Sequence, residues 1–205
     1  MPAAALVARS ADLWSAATRH PFLDAVREGT LPPRAFDTWL AQDARFVADL
    51  LAFQARLLAR APRAAQAVLV GGAAALVDEL TWFEGLAARR GLDLDATPLP
   101  ATEAYAALLD RLDGAPYPVA VTALWALERV YLEAWGHAAP GDADTREAVA
   151  HWTAPGFDAY VAGLEALADD AVAELPQEEM DRVFGEVLGQ ERDFWQMALD
   201  PGHRS

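Results

Sequence analysis

Four residue types are absent from this chain of 205 residues: cysteine, lysine, asparagine and isoleucine. Without cysteine there can be no disulfide bond, no thiolate nucleophile and no metal site built on sulfur. Without lysine the chain cannot form a lysine Schiff base with a carbonyl substrate. All sixteen basic residues are arginine, which we interpret as the codon bias of a GC-rich genome.

Long apolar runs and an excess of positive charge are also missing. The longest apolar run, VLVGGAAALV at 68–77, is too short to cross a bilayer. The first residues lack the basic region and apolar core of a signal peptide. The formal net charge is −15, and no arginine-rich stripe is present, which argues against a nucleic-acid partner. We therefore expect a cytoplasmic protein that binds a small molecule and no membrane.

Helical periodicity is what the sequence does contain. Apolar residues recur every three or four positions along most of the chain, and no run of strand length alternates with period two. Proline and glycine mark the ends of the predicted helices, which cover 10–29, 33–61, 62–89, 102–112, 118–138, 145–152, 156–174 and 177–199. Gly71 and Gly72 fall inside the third helix, where they cost stability unless a neighbouring backbone packs closely. The sequence predicts a single all-α domain, 1–205, built as a bundle of seven to eight helices.

Four apolar helix faces are each interrupted by one acidic residue. These residues are Asp43, Glu79, Glu128 and Glu191, and each has aromatic residues three or four positions away. A carboxylate on an apolar face loses its hydration and needs a partner or a function. One such residue is often at the edge of a buried face, but four on four helices predict that the acids meet in one aromatic-lined cavity.

Buried acids cluster to bind a metal, to carry out acid–base chemistry or to pair with buried arginine. Arg45, Arg56 and Arg129 keep the pairing alternative open. A ferritin-like di-iron site needs glutamate three residues before histidine on two helices, and no histidine here has one. His20, a possible haem ligand, is followed by proline, and we interpret it as a helix-boundary residue. We predict no metal and no cofactor.

Acid–base chemistry on a flat organic substrate is the remaining interpretation. Aromatic side chains near the acids could stack on such a substrate or donate phenol hydrogen bonds to it. The candidates are Phe46, Trp82, Tyr105, Tyr131 and Trp152. Each of them alone could equally be a core residue.

Three blocks of the sequence carry a resemblance to a known family. They are HPFLDAVREGTLPPRAFDTWLAQDARF at 20–46, TEAY at 102–105 and QERDFWQMA at 190–198. In the same order, and over nearly the whole chain, they resemble signature segments of the TenA family. The resemblance implies the haem-oxygenase-like all-α fold without haem, and a hydrolase that cleaves a C–N bond in aminopyrimidine compounds derived from thiamin.

The resemblance also implies roles for individual residues. Asp43 would hold the ring nitrogen and amino group of the pyrimidine, while Phe46 and Tyr105 would line its ring. Glu191 would be the acid/base beside the scissile carbon. On the same substrate, Glu79 is expected to be a binding residue together with the other aromatic candidates.

Two departures from the better-known branch of that family affect the expected chemistry. That branch has a nucleophilic cysteine shortly before a tyrosine, whereas residues 127–131 here read LERVY, which resembles a second, cysteine-less branch. We choose Glu128 as the replacement because it shares a helix face with Tyr131. The other departure follows Trp152, where TAPGF stands in place of a segment with tyrosine. This calls a tyrosine-mediated hydrogen bond into question.

The cysteine-less branch is associated with deformylation of a formylaminopyrimidine and hydrolysis of the resulting amine. We expect Glu128 or Glu191 to activate water and to protonate the departing nitrogen, which requires a raised carboxyl pKa. Cleavage of thiamin itself is in question without the thiolate. The alternatives are an oxidative or metal-dependent reaction on the same fold, or a non-catalytic regulatory or ligand-binding homologue. Apolar residues around several helices also predict a homo-oligomer, either a dimer or a tetramer.

Overall fold

The computed structural model describes residues 2–200, and no β-strand occurs within that range. The helices it contains are α1 (Ala4–Arg9), α2 (Ala11–Thr18), α3 (Pro21–Glu28), α4 (Pro33–Arg60), α5 (Gln66–Arg90), α6 (Pro100–Asp113), α7 (Tyr117–Ala138), α8 (Arg146–Trp152), α9 (Pro155–Val172) and α10 (Gln177–Leu199). The predicted all-α class is confirmed. Across these residues, no helix is long and apolar enough to cross a membrane.

Helix α7 lies at the centre of the bundle. It packs against α2, α3, α4, α6, α8, α9 and α10, and every residue from 119 to 128 is buried. The run VAVTALWAL before Glu128 carries no charge, so every side of this helix can be covered by neighbours. The apolar circumference that suggested oligomerisation is therefore explained, for α7, by burial within the chain.

Proline and glycine set several of the helix boundaries. Pro33 and Pro155 occupy first-turn positions of α4 and α9, where the missing backbone N–H has no intrahelical partner to lose. Gly29 and Gly91 end α3 and α5 with φ values of 67° and 69°, which glycine adopts without strain. These local signals explain why the predicted bounds of α4 and α10 agree closely with the structure.

The predicted helix over 10–29 and the count of seven to eight helices are wrong. Pro21 holds His20 in an extended conformation, which separates α2 from α3, and α1 precedes both. The ring nitrogen Nδ1 of His20 accepts the backbone N–H of Phe22 at 3.2 Å. His20 is thus the N-cap of α3, as its interpretation as a helix-boundary residue required.

Helix α6 also begins earlier than predicted. Its first turn contains Pro100, and its N-cap is Leu99 rather than Thr102. The Thr102 hydroxyl donates instead to the side chain of Gln42 on α4. This contact joins α6 to the helix that carries Asp43.

Candidate active site

The four interrupting acids are all buried, and they lie on four helices. Asp43 is on α4, Glu79 on α5, Glu128 on α7 and Glu191 on α10, with 0%, 9%, 5% and 1% of their surfaces exposed. The charges of Glu79, Glu191 and Glu128 each raise the pKa of Asp43, after its burial, which is the largest cause. The four interrupted helix faces thus bring buried acids close enough to act on one another electrostatically, while the aromatic-lined cavity expected to hold them stays a prediction.

Two tyrosines hold two of the acids. The Tyr131 hydroxyl donates to Asp43 Oδ2 at 2.7 Å and accepts from the indole Nε1 of Trp39 at 3.3 Å. The Tyr105 hydroxyl donates to Glu191 Oε1 at 2.6 Å. Both tyrosines are themselves buried, so the hydrogen bonds fix the orientation of each carboxyl group.

Two carboxyl oxygens in the cluster have no hydrogen-bond partner among the described residues. They are Asp43 Oδ1 and Glu128 Oε1. A buried acceptor without a donor costs free energy, and such atoms are therefore uncommon in a protein interior. They are the positions at which a ligand with N–H groups, or a water molecule, could donate hydrogen bonds.

The environment favours the protonated forms of these acids. Burial raises the pKa of Glu128 well above its ordinary value, and the charges of Glu79 and Glu191 raise it further. Burial raises the pKa of Glu191 to about 8, although the hydrogen bond from Tyr105 lowers it. A carboxylic acid with a pKa of about 8 carries its proton at pH 7 and can act as a general acid there.

The arginines that might have paired with the cluster are engaged elsewhere. Arg45 donates to backbone carbonyls of the 91–99 loop. Arg56 pairs with Asp113, and Arg129 lies 3.7 Å from Glu133. The alternative that these arginines neutralise the four acids is therefore wrong.

The predicted aromatic residues occupy three different places. Phe46 lies against Tyr105, with ring centroids 4.4 Å apart, and the hydroxyl of Tyr105 contacts Glu191. Trp152 packs edge-on against Tyr131 at 5.4 Å, so it supports a tyrosine that holds Asp43. Trp82 is half-buried at the junction of α5 and α8, and its indole donates to Glu147 at 2.8 Å.

His151 was not among the predicted site residues. Its ring stacks on Trp82 with centroids 4.8 Å apart, and its Nε2 lies 3.7 Å from Glu79 Oε2. Glu79 is the most exposed of the four acids. A histidine thus lies beside an acid of the cluster where α8 packs against α5.

Tyr160 on α9 was also missed. Its hydroxyl donates to Gln54 Oε1 at 3.0 Å, and burial and then the charge of Glu128 raise its pKa well above the ordinary value. The phenol of Tyr160 thus lies near Glu128, although the TAPGF segment directly after Trp152 contains no tyrosine. The signal was the glycine pair, since a Cβ atom on Gly72 would overlap Gln54 Nε2 and the Tyr160 hydroxyl.

Comparisons with known proteins identify relatives of this chain. A probable bifunctional TENA-E protein of Glycine max is 34% identical over 201 residues, covering 91% of this chain and 88% of that protein. A TenA homologue from Pyrococcus furiosus is 26% identical with a TM-score of 0.91, covering 97% of this chain and all of the other. The structure of a TenA family transcription regulator from Silicibacter superposes with a TM-score of 0.88 over 97% and 96% of the two chains, and at 23% identity this likeness concerns the fold alone.

The likeness to the Pyrococcus furiosus homologue assigns the haem-oxygenase-like class to the all-α bundle. The model of the TENA/THI-4/PQQC family matches residues 7–201, nearly the whole chain. The protein is a member of the TENA/THI-4/PQQC family.

Proposed function

We propose that this chain hydrolyses C–N bonds in thiamin-derived aminopyrimidines, first removing the formyl group from a formylaminopyrimidine and then releasing ammonia from the resulting amine. The observation that carries the proposal is the buried cluster of four acids, in which Asp43 and Glu128 keep unpartnered oxygens and the Tyr105 hydroxyl orients Glu191. The amino groups of such a substrate would supply the missing donors.

Asp43 is the residue that would recognise the pyrimidine. Its Oδ2 atom is occupied by Tyr131, which leaves Oδ1 to accept the amino N–H of the ring. Because the pKa of Asp43 is raised well above its usual range, its carboxyl group can also share a proton with a ring nitrogen. Phe46 and Tyr105 would provide the apolar faces that such a ring requires.

Glu128 and Glu191 would share the proton transfers. Carboxyl groups in one buried cluster cannot all ionise, so an ionised carboxylate and a protonated acid coexist there. Whichever of the two is ionised would take a proton from water as it attacks the formyl carbon, and the protonated one would give its proton to the nitrogen as the C–N bond breaks. In the second reaction water replaces the amino group at the exocyclic carbon, and ammonia leaves with the proton.

A hydrolysis assay tests the proposal. Formylaminopyrimidine, aminopyrimidine and thiamin would be offered to the wild type, to Glu191→Gln and to the control Glu186→Gln, which removes an exposed-side acid of the same helix. We expect the wild type and the control to convert the first two compounds, and Glu191→Gln to lose roughly a hundredfold or more in rate. A fully active Glu191→Gln would refute the assigned role, and no turnover by the wild type would refute the substrate class.

Two further expectations belong to the proposal. The protein would act in the cytoplasm and as a homo-oligomer, either a dimer or a tetramer. Val70 and Val77 on the outer face of α5 are each 52% exposed, and a second copy would cover them. Light scattering after gel filtration measures the mass, and a monomer at micromolar concentration would contradict the oligomer.

A further inference from the structure

Two buried residues of the signature segments have no role in the proposed chemistry. Gln42 directly precedes Asp43 on α4, and Thr102 lies one helical turn before Tyr105 on α6. Both are 3% exposed. A polar side chain that is buried beside a site without contacting the reacting groups needs another explanation.

The amide of Gln42 joins α4 to the start of α6. Its Oε1 atom accepts the hydroxyl of Thr102 at 2.6 Å and the backbone N–H of Leu99 at 2.9 Å. Its Nε2 atom donates to the carbonyl of Thr97 at 3.2 Å. Leu99, the N-cap residue of α6, has no side chain that could cap the helix. Gln42 therefore supplies, from another helix, the acceptor that the start of α6 lacks.

A second contact between the same two helices lies one turn further along. Phe46, four residues after Gln42, packs against Tyr105, three residues after Thr102, with ring centroids 4.4 Å apart. Residues at these spacings share a helix face. The two contacts together fix both the sliding and the rotation of α6 against α4, because neither movement can preserve both.

We infer that Gln42 and Thr102 are positioning residues, whose hydrogen bond sets α6 in the register that places the Tyr105 hydroxyl on Glu191. As a statement about catalysis, this inference rests on the proposed function. As a statement about geometry, it rests on the chain of contacts alone: Gln42 to Thr102 at 2.6 Å, and Tyr105 to Glu191 at 2.6 Å. Thr102 also contacts Met197 Sδ of α10 at 3.5 Å. Helix α10 therefore meets α4 and α6 at this point.

The protonation of Glu191 reports on this register. The charge of Glu191 raises the pKa of four facing groups, which are Asp43 of α4, Tyr105 of α6, and Glu128 and Tyr131 of α7. Among them, Tyr105 is the one whose hydrogen bond lowers the Glu191 pKa. A shift of α6 that lengthens this hydrogen bond should therefore raise the pKa further above 8.

The test compares Thr102→Val, which keeps the shape and removes the hydroxyl, with Thr102→Ser, which keeps the hydroxyl. The Glu191 pKa would be measured by a carbon-13 carboxyl NMR titration of glutamate-labelled protein, with the signal assigned by its loss in Glu191→Gln. We expect Thr102→Val to raise the midpoint by up to about one pH unit, in the direction of Tyr105→Phe. Thr102→Ser should match the wild type.

The steady-state kinetics of formylaminopyrimidine hydrolysis by the same variants are the second measurement. Because a small misplacement near the reacting groups affects chemistry more than binding, kcat should fall roughly tenfold in Thr102→Val while KM changes less. An unchanged Glu191 midpoint in Thr102→Val would overturn the inference. If that variant does not fold, Thr102→Ala, which leaves room for water, must show the raised midpoint instead. If the wild type converts no pyrimidine, the proposed function fails, and the titration still decides the positioning role.

Discussion

The interior of the bundle has two layers that are built from the same helices. The acid layer holds Asp43, Glu128 and Glu191, and the aromatic layer holds Trp39, Trp135 and Trp195. On α4 and α10 the acid and the tryptophan are four residues apart, and on α7 Tyr131 and Trp135 repeat that spacing. One helical turn thus separates the acid from the tryptophan on α4 and α10, whereas on α7 Glu128 lies two turns before Trp135, with Tyr131 between them.

The two layers differ in what they contribute. In the aromatic layer, ring centroids of Trp39 and Trp135 are 5.0 Å apart and those of Trp135 and Trp152 are 5.1 Å apart, and this packing stabilises the fold. In the acid layer, burial without enough donors costs stability. The packing of the aromatic layer therefore offsets the cost of burying the acids.

The largest effect on stability is expected from Trp135→Ala. This residue is fully buried between Trp39, Trp152 and Trp195, so its removal leaves a large cavity. We expect the free energy of unfolding to fall by about 3–5 kcal/mol, as measured by urea denaturation. Leu13→Ala, at an exposed residue, is the control. A loss no larger than that of the control would contradict the role of the aromatic layer.

The opposite result is expected in the acid layer. Glu128→Gln should lower the rate of formylaminopyrimidine hydrolysis roughly a hundredfold or more. Its free energy of unfolding at pH 8 should stay equal or rise, because the neutral amide avoids burying a charge. Steady-state kinetics and urea denaturation on the same sample would check both. A large loss of stability in Glu128→Gln would show that the acid layer stabilises the fold as the aromatic layer does.

The acid layer should also make the free energy of unfolding depend on pH, which the aromatic layer does not. The folded state binds more protons than the unfolded state between the ordinary Glu191 pKa of 4.5 and its folded value of about 8. Stability from this group is thus fully present below about pH 4.5 and is lost as the pH rises to 8. The free energy of unfolding should fall by up to about 1.4 kcal/mol per pH unit in this range. The slope should be shallower in Glu191→Gln, and equal slopes would contradict the raised pKa.

The smallest effects are expected at the glycine pair of α5. A methyl group on Gly72 would overlap Gln54 and Tyr160, so Gly72→Ala should cost about 1–3 kcal/mol and should displace the phenol near Glu128. A methyl group on Gly71 would meet no neighbouring atom of the described residues within 4 Å, and Gly71→Ala should stabilise the helix by about 0.5–1 kcal/mol. Thermal unfolding of both variants measures the two changes in stability. A change of the same sign in both variants would contradict the prediction.

The sequence allowed the acid layer to be predicted, but not its surroundings. Glu128 and Glu191 break apolar periodicity, which is a local pattern that can be read along one helix. The positions of Tyr160 and His151 depend on how α9 and α8 pack against α5, and no periodicity within a single helix contains that information. The break between α2 and α3 was missed although Pro21 marks it, because the apolar pattern continues across it.

The four acids are widely separated along the chain, at positions 43, 79, 128 and 191. No piece of the chain shorter than residues 43–191 therefore contains the cluster, and during synthesis the site cannot exist before α10 has docked against α4, α6 and α7. A growing chain cannot capture its ligand early, and any ligand that binds the cluster holds the last helix in place. Binding would therefore protect α10 from proteolysis and hydrogen exchange as much as it protects the site itself.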